Sequence, residues 1–249
     1  MGVNWVRRGT TYVALCAAAQ LLAACSGEPA VDNAAGIAAD NAATPTAQPA
    51  AAAGAEAADA RLVVAFGDSL YAGYGVAQNE SFPAALQRSL TARGIAADVR
   101  NAGVSGETTQ GGLQRLAFTL DGFPRKPDLL ILGLGGNDML RGIDPAETER
   151  NLRGMLDLLK ERGIPVMLTG MVAAPNMGAD YRRRFDAIYP ALAKDYGVPL
   201  YPFFLDGVIG DRALMQADSI HPNARGIDRV TDRVAPLVAA ALNPAATGG

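Results

Sequence analysis

A chain of 249 residues has room for one or two domains at the usual ~100–200 residues each, and its formal net charge of −3, with 22 basic and 25 acidic residues interspersed, gives no electrostatic case for nucleic acid or a strongly anionic partner. Both cysteines, Cys16 and Cys25, precede the segment able to build a core, which excludes a disulfide or a thiolate metal site there. The single histidine, His221, excludes a zinc site of three imidazoles, and any step needing an imidazole falls to it.

Residues Met1 to Ala24 read as a secretory signal, with Arg7 and Arg8 ahead of an apolar stretch from Tyr12 to Ala24. That stretch is shorter than the roughly 20 residues of a membrane span. The surroundings of Arg7-Arg8 match a twin-arginine signal poorly, so general secretion is favoured. Leu22-Ala23-Ala24-Cys25 resembles the lipobox of bacterial lipoproteins. The resemblance implies a diacylglyceryl group on Cys25, cleavage just before it, and a membrane held through that lipid on the periplasmic side of the cell envelope. Ser26 is not the aspartate linked to inner-membrane retention, which favours the outer membrane. An ordinary signal peptide cut nearby is the competing reading. From Ser26 to Ala60 the sequence falls to Ala, Pro, Gly, Asn, Thr and a few acids; little apolar surface offsets the entropy of ordering it, and a disordered tether is expected. A folded domain is expected over residues 61–245.

In that domain short apolar runs alternate with helical patterns. Strands are predicted over Leu62–Phe66, Ala97–Asn101, Leu129–Leu134, Val166–Met171 and Leu200–Phe203. Helices are predicted over Phe82–Ala92, Gly111–Leu120, Ala146–Arg162, Tyr181–Tyr196 and Asn223–Leu242, several bracketed by Pro at the start or Gly at the end. Such alternation predicts an α/β fold with a parallel sheet covered on both faces. Ligands then gather at the carboxyl ends of the strands.

Three polar clusters fall at those ends. Gly67-Asp68-Ser69-Leu70 follows the first strand, where a serine hydroxyl can face the crevice, although a Gly-Asp-Ser turn is also ordinary structure. Ser105, in Gly103-Val104-Ser105-Gly106-Glu107, is a weaker nucleophile candidate because Glu107 stands where a G-x-S-x-G elbow needs glycine. A serine needs a base, and His221 lies in Asp218-Ser219-Ile220-His221-Pro222, where three-residue spacing in a turn can set Asp218 beside the ring. A lone surface histidine is the bland alternative. Gly133-Leu134-Gly135-Gly136-Asn137-Asp138 offers the Asn137 amide as an oxyanion donor. It fails the dinucleotide pattern at Asp138, and Asn137-Asp138 could instead cap the next segment.

Together these blocks resemble the SGNH (GDSL-type) hydrolase family: Gly67-Asp68-Ser69-Leu70, Gly103 in Asn101-Ala102-Gly103, Gly136-Asn137-Asp138, and Asp218 with His221, across Leu62 to Leu242. The resemblance implies a flavodoxin-like three-layer α/β/α sandwich. It also implies Ser69 as nucleophile, His221 as base, Asp218 as orienter, and an oxyanion hole from the Ser69 and Gly103 N–H groups with the Asn137 amide. No metal and no cofactor are expected, and the chain is expected to act as a monomer. Ala72-Gly73-Tyr74-Gly75 and Gly106-Glu107-Thr108-Thr109 look like the branch of periplasmic thioesterases, lysophospholipases and arylesterases, whose substrates are small acyl esters, thioesters and lysophospholipids. Tyr71 stands where that branch often has serine, a departure from the branch's pattern that leaves the edge of the substrate pocket open. Ala173 to Gly178 looks like that branch's mobile loop, with a plain connection as the alternative. Two rivals remain on sequence alone: an acetyl esterase or O-acyltransferase of carbohydrate, and a non-catalytic envelope lipoprotein.

Overall fold

The computed structural model describes residues 60–243. The expected signal, Cys25, the tether short of Ala60 and the residues after 243 lie outside them. Five strands form one sheet: β1 (Arg61–Gly67), β2 (Ala97–Gly103), β3 (Leu129–Gly133), β4 (Val166–Thr169) and β5 (Leu200–Tyr201). They are parallel throughout, in the order β2-β1-β3-β4-β5. That is the flavodoxin-like order, and its switch point lies between β1 and β3.

The apolar runs are unbroken because the central strands bury both faces. Val63, Ala65, Leu129 and Ile131 pack into one core, while Val64, Phe66, Leu130 and Leu132 pack into the other. The first core is closed by α2 (Phe82–Ala92) and the long final helix α8 (Ala224–Leu242). The second is closed by α3 (Thr109–Asp121), α5 (Pro145–Glu161) and the pair α6 (Ala179–Asp186) and α7 (Ile188–Tyr196). From β1 the chain crosses outward to β2 and then back past β1 to β3. Crossovers of one hand must therefore put α2 and α3 on opposite faces.

Several expected boundaries move, each for a local reason. The single helix expected over Tyr181–Tyr196 is two, interrupted at Ala187. Pro190 has no N–H to offer the Asp186 carbonyl and its ring crowds it, so α6 cannot run on unchanged. Strand β5 stops at Tyr201 rather than Phe203, since Pro202 has no N–H for the ladder. Strand β4 stops at Thr169, and beyond it the Gly170 carbonyl accepts from the Phe204 N–H at 2.9 Å. Helix α3 starts at Thr109, earlier than Gly111, because the Thr108 hydroxyl caps the Gly111 N–H. Two short helices at strand ends, α1 (Ser69–Ala72) and α4 (Gly136–Leu140), are too brief to show a period in sequence.

At the carboxyl end of the sheet, Gly103, Gly67 and Gly133 stand in register as one row across β2, β1 and β3. Helix α1 lies directly on that row. A Cβ at Gly67 would come within 2.5 Å of the Tyr71 ring, one at Gly133 within 2.4 Å of its hydroxyl, and one at Gly103 within 2.3 Å of the Ala72 nitrogen. Tyr71 is therefore a core residue, 1% exposed, and takes no part in the pocket edge that its departure from the branch's pattern had left open. Its ring stacks on Phe204 and meets Phe82 edge-on, both at 5.1 Å between centroids. Its hydroxyl hydrogen-bonds Thr169 Oγ1 at 2.7 Å.

Two substitutions test this seat by urea unfolding. Tyr71→Phe strands a buried Thr169 hydroxyl and should cost about 1–2 kcal/mol. Gly133→Ala forces a methyl group against the phenol and should cost at least as much, in the ~1–3 kcal/mol range of overpacked cores. A neutral Gly133→Ala would show that the ring has slack.

Candidate active site

The turn that follows β1 carries the first element of the site. Asp68 caps α1 by accepting the Leu70 N–H at 3.0 Å, and this sets Ser69 as the first helical residue above the glycine row. The second element comes from the far end of the chain. Asp218 opens a tight turn in which its Oδ1 accepts the N–H groups of Ile220 and His221, at 2.9 and 3.0 Å. Ser219, between them, takes the left-handed φ of 59°. The turn returns Asp218 Oδ2 to 2.6 Å from His221 Nδ1. The opposite ring nitrogen, Nε2, lies 2.8 Å from Ser69 Oγ. Ser105 lines the same cavity, but Nε2 is taken by Ser69.

Electrostatics fix which way the protons point. Partial burial works to raise the Asp218 pKa, but the His221 backbone N–H, the imidazole and the Ile220 N–H outweigh it and hold the carboxyl at about 2. An ionised carboxylate can only accept. Nδ1 must then carry the hydrogen, leaving the Nε2 lone pair to accept from the Ser69 hydroxyl. The turn itself is pinned from two sides. Gln216 Nε2 donates to the carbonyls of Tyr74 at 2.7 Å and Pro222 at 3.0 Å, tying the loop after α1 to the histidine loop. The Tyr74 ring lies against the imidazole with centroids 4.5 Å apart.

The N–H groups around Ser69 require one correction. Gly103 was expected to donate to an oxyanion, yet its N–H is held by Asn101 Oδ1 at 2.9 Å and Gly103 does not line the cavity. It is glycine because α1 packs on it. The cavity is lined instead by Gly106, at a left-handed φ of 78°. The N–H groups of Gly106 and Ser69 have no hydrogen-bond partner among the described residues. The Gly106 carbonyl is held by Arg141 Nη2 at 2.6 Å. Asn137 Nδ2 donates to the buried Asp68 Oδ2 at 3.3 Å, which leaves its second amide hydrogen for the cavity. Burial, the largest influence on Asp68, raises its pKa to about 6 against the opposing Leu70 and Asn137 hydrogen bonds.

Two polar clusters missing from the sequence reading brace these loops. Arg115 on α3 donates through Nε to both oxygens of Glu107, at 2.7 and 2.8 Å, and through Nη2 to the Ala102 carbonyl at 2.8 Å. Its guanidinium carbon rides 3.9 Å above the Phe66 ring. One side chain thus joins the end of β2 to the loop bearing Gly106. Asp138, fully buried, does not cap α4; it accepts from the Thr109 N–H at 2.8 Å, from the Thr109 hydroxyl and from Thr148. Its neighbour Asn137 is thereby locked to the starts of α3 and α5. An arginine–glutamate spacing of eight residues on a loop and a helix is no recognisable motif.

These groups open into a cavity of about 640 Å³ whose walls are mostly apolar, among them Met139, Met171, Phe203 and Leu205. Ala173 to Pro175 form part of one wall, anchored by the Ala173 N–H on Asp186 Oδ1 at 2.7 Å.

Comparison with known proteins agrees with this geometry. Residues 65–229 match the GDSL-like Lipase/Acylhydrolase family. The chain is 39% identical to Esterase TesA of Pseudomonas aeruginosa over 181 residues, 73% of this chain and 89% of that protein. It is also 39% identical to Thioesterase 1/protease 1/lysophospholipase L1 of Escherichia coli over 186 residues, 73% of this chain and 87% of that one. Among solved structures, AlinE4, an SGNH-hydrolase family esterase, is 52% identical and superposes with a TM-score of 0.64, covering 74% of this chain and 97% of that one. A flavodoxin-ordered sheet, a serine, histidine and aspartate in one hydrogen-bonded line, and a matching family profile lead to one conclusion: the chain belongs to the GDSL-like lipase/acylhydrolase family, the SGNH hydrolases, and is a serine ester hydrolase.

Proposed function

We propose that the enzyme hydrolyses acyl esters and thioesters through an acyl-serine intermediate, with Ser69 as nucleophile, His221 as base and Asp218 as the group that orients and charges the base. The observation carrying this reading is the unbroken line from Asp218 through His221 to Ser69, at 2.6 and 2.8 Å, at the mouth of an apolar cavity. Ser69 Oγ attacks the acyl carbonyl as Nε2 takes its proton. The tetrahedral oxyanion is met by the N–H groups of Ser69 and Gly106 and by the Asn137 amide. Collapse breaks the bond to the leaving alcohol or thiol, to which His221 returns the proton. A water then repeats the sequence against the acyl-enzyme and releases the acid. Asp68 serves as a positioning residue, since its carboxylate holds Asn137 from below.

The relatives named for esterase, thioesterase and lysophospholipase activities point to small acyl substrates. Apolar walls fit a fatty acyl chain better than an acetylated sugar, whose hydroxyls would find few partners there. Export, lipidation of Cys25 and attachment on the periplasmic side of a membrane, with the outer membrane favoured by Ser26, complete the proposal, together with action as a monomer. Mass spectrometry of the membrane-extracted protein, with a diacylglyceryl mass on Cys25, tests the anchor.

The mechanism is tested with p-nitrophenyl esters from acetyl to palmitoyl. Ser69→Ala should lose measurable turnover on all of them, and retained turnover would remove Ser69 from the reaction. Asn137→Ala should lower kcat about 10²–10³-fold, the loss typical of one oxyanion donor; an unchanged kcat would remove it from that role.

Dependence on pH separates the two acids. Asp218, held at about 2, stays ionised and accepting through the assay range, so a reaction that uses His221 as its general base should show kcat/KM rising with pH. A rate flat from pH 5 to 9 would remove His221 as base. Asp68 has the opposite sign. Its folded pKa of about 6 exceeds the unfolded value near 3.9, so the native state holds the proton more tightly. Its contribution to stability is fully present at low pH and is lost as pH rises from about 4 through about 6. Asp68→Asn should therefore flatten the urea midpoint against pH in that window, and an unaltered slope would contradict the burial of a charge at this position.

A further inference from the structure

Large apolar side chains left in water are few among the described residues, and they are not scattered. Tyr74, Val104, Leu140, Val172, Ile209 and Ile220 are each 40–54% exposed. Five of them line the mouth of the catalytic cavity, and Val104 stands two residues from Gly106 on the same loop. They come from six separate segments: the loop after α1, the loop after β2, the end of α4, the loop after β4, the region after β5, and the turn between Asp218 and His221. Those segments meet at the carboxyl end of the sheet, so the residues form a ring. Phe118 on α3, 83% exposed, is the one large apolar residue outside it.

Exposed apolar surface gathered on one face marks an interaction site. Five of these side chains line the cavity and yet stand 40–54% exposed, so apolar surface continues from the cavity into solvent. Charge supplies the second observation. On α6, Arg183 pairs with Asp180 and Arg184 with Asp144, but Arg182, which lines the same cavity, has no ion-pair partner among the described residues. An apolar ring bearing an uncompensated guanidinium suits an anionic phospholipid surface: side chains enter the headgroup layer while the cation faces phosphate. A protein seated on the ring would seal the catalytic mouth, whereas a lipid surface delivers acyl esters into it.

We propose that this ring is a lipid-docking face, through which the enzyme sits on an anionic phospholipid bilayer with the catalytic cavity opening toward it. The inference goes beyond ester hydrolysis and stands apart from the Cys25 anchor, because the face must bind without any covalent lipid.

The test uses residues 60–249. A cooperative urea transition of this piece is the entry condition for the assay, and a solved relative is covered over 97% of its length by this chain. Ser69→Ala in this piece, mixed with vesicles of phosphatidylcholine or of phosphatidylcholine with phosphatidylglycerol, is sedimented. Binding should be strong on the mixed vesicles and weaker on the neutral ones. Leu140→Asp with Ile209→Asp should lower partitioning at least tenfold, and Val104→Asp, outside the cavity, should lower it too. Phe118→Asp should leave it unchanged, and Arg182→Gln should remove the preference for anionic vesicles. Matched thermal midpoints verify that the variants fold. Absence of binding to either vesicle, an equal loss from Phe118→Asp, or a vesicle-free dimer broken by Ile209→Asp would overturn the proposal, the last by assigning the ring to a second copy. Hydrolysis of p-nitrophenyl butyrate by the unaltered piece is scored separately. Intact hydrolysis with no vesicle binding overturns only the docking face, and binding without hydrolysis overturns the esterase reading.

Discussion

Where β1 and β3 end, the ring of Tyr71 rests so close to Gly67 and Gly133 that no side chain could stand between them. This contact governs the rest of the catalytic face. It lets a single helical turn lie flat on the sheet, and that turn begins with Ser69. The same closeness demands Gly103 beside the Ala72 backbone. Three glycines on three strands thus answer one steric requirement, which places Ser69 at the switch point of the sheet, where a parallel α/β fold leaves a crevice.

Around that fixed point the site is built from groups that neutralise one another. The Asp218 carboxylate is stabilised by backbone N–H groups of its own turn and so gives the imidazole one tautomer. The buried Asp68 is opposed by burial and used by Asn137. Arg115 and Glu107 satisfy each other while gripping the backbone beside the Gly106 loop. Arg182, on the cavity wall, is outside these pairings among the described residues.

Legibility from sequence followed chain distance. The pairing of Asp218 with His221 was readable because it closes within one turn, whereas Ser69, distant in the chain, was singled out through the family resemblance of its block. The sheet and its two helical layers were readable from unbroken apolar runs between amphipathic segments. That Gly103 has no free N–H was not legible, because it depends on the Asn101 side chain accepting it while the Gly106 N–H is left without a partner among the described residues. The burial of Tyr71 was not legible because it depends on Gly133, on a different strand, as much as on the nearby Gly67. The interruption at Ala187 was written in Pro190, but the apolar period on either side masked it.

The hydrogen bond between His221 and Ser69 joins residues 152 apart in the chain. Ser69 opens the turn after the first strand, and His221 lies in the last loop before the final helix. A growing or partly folded chain therefore carries a serine with no partner to draw off its proton. Closing so long a loop is slow and entropically opposed until α8 packs against α2. The alignment of Ser69 with His221 is thus a property of the finished topology and of no local segment.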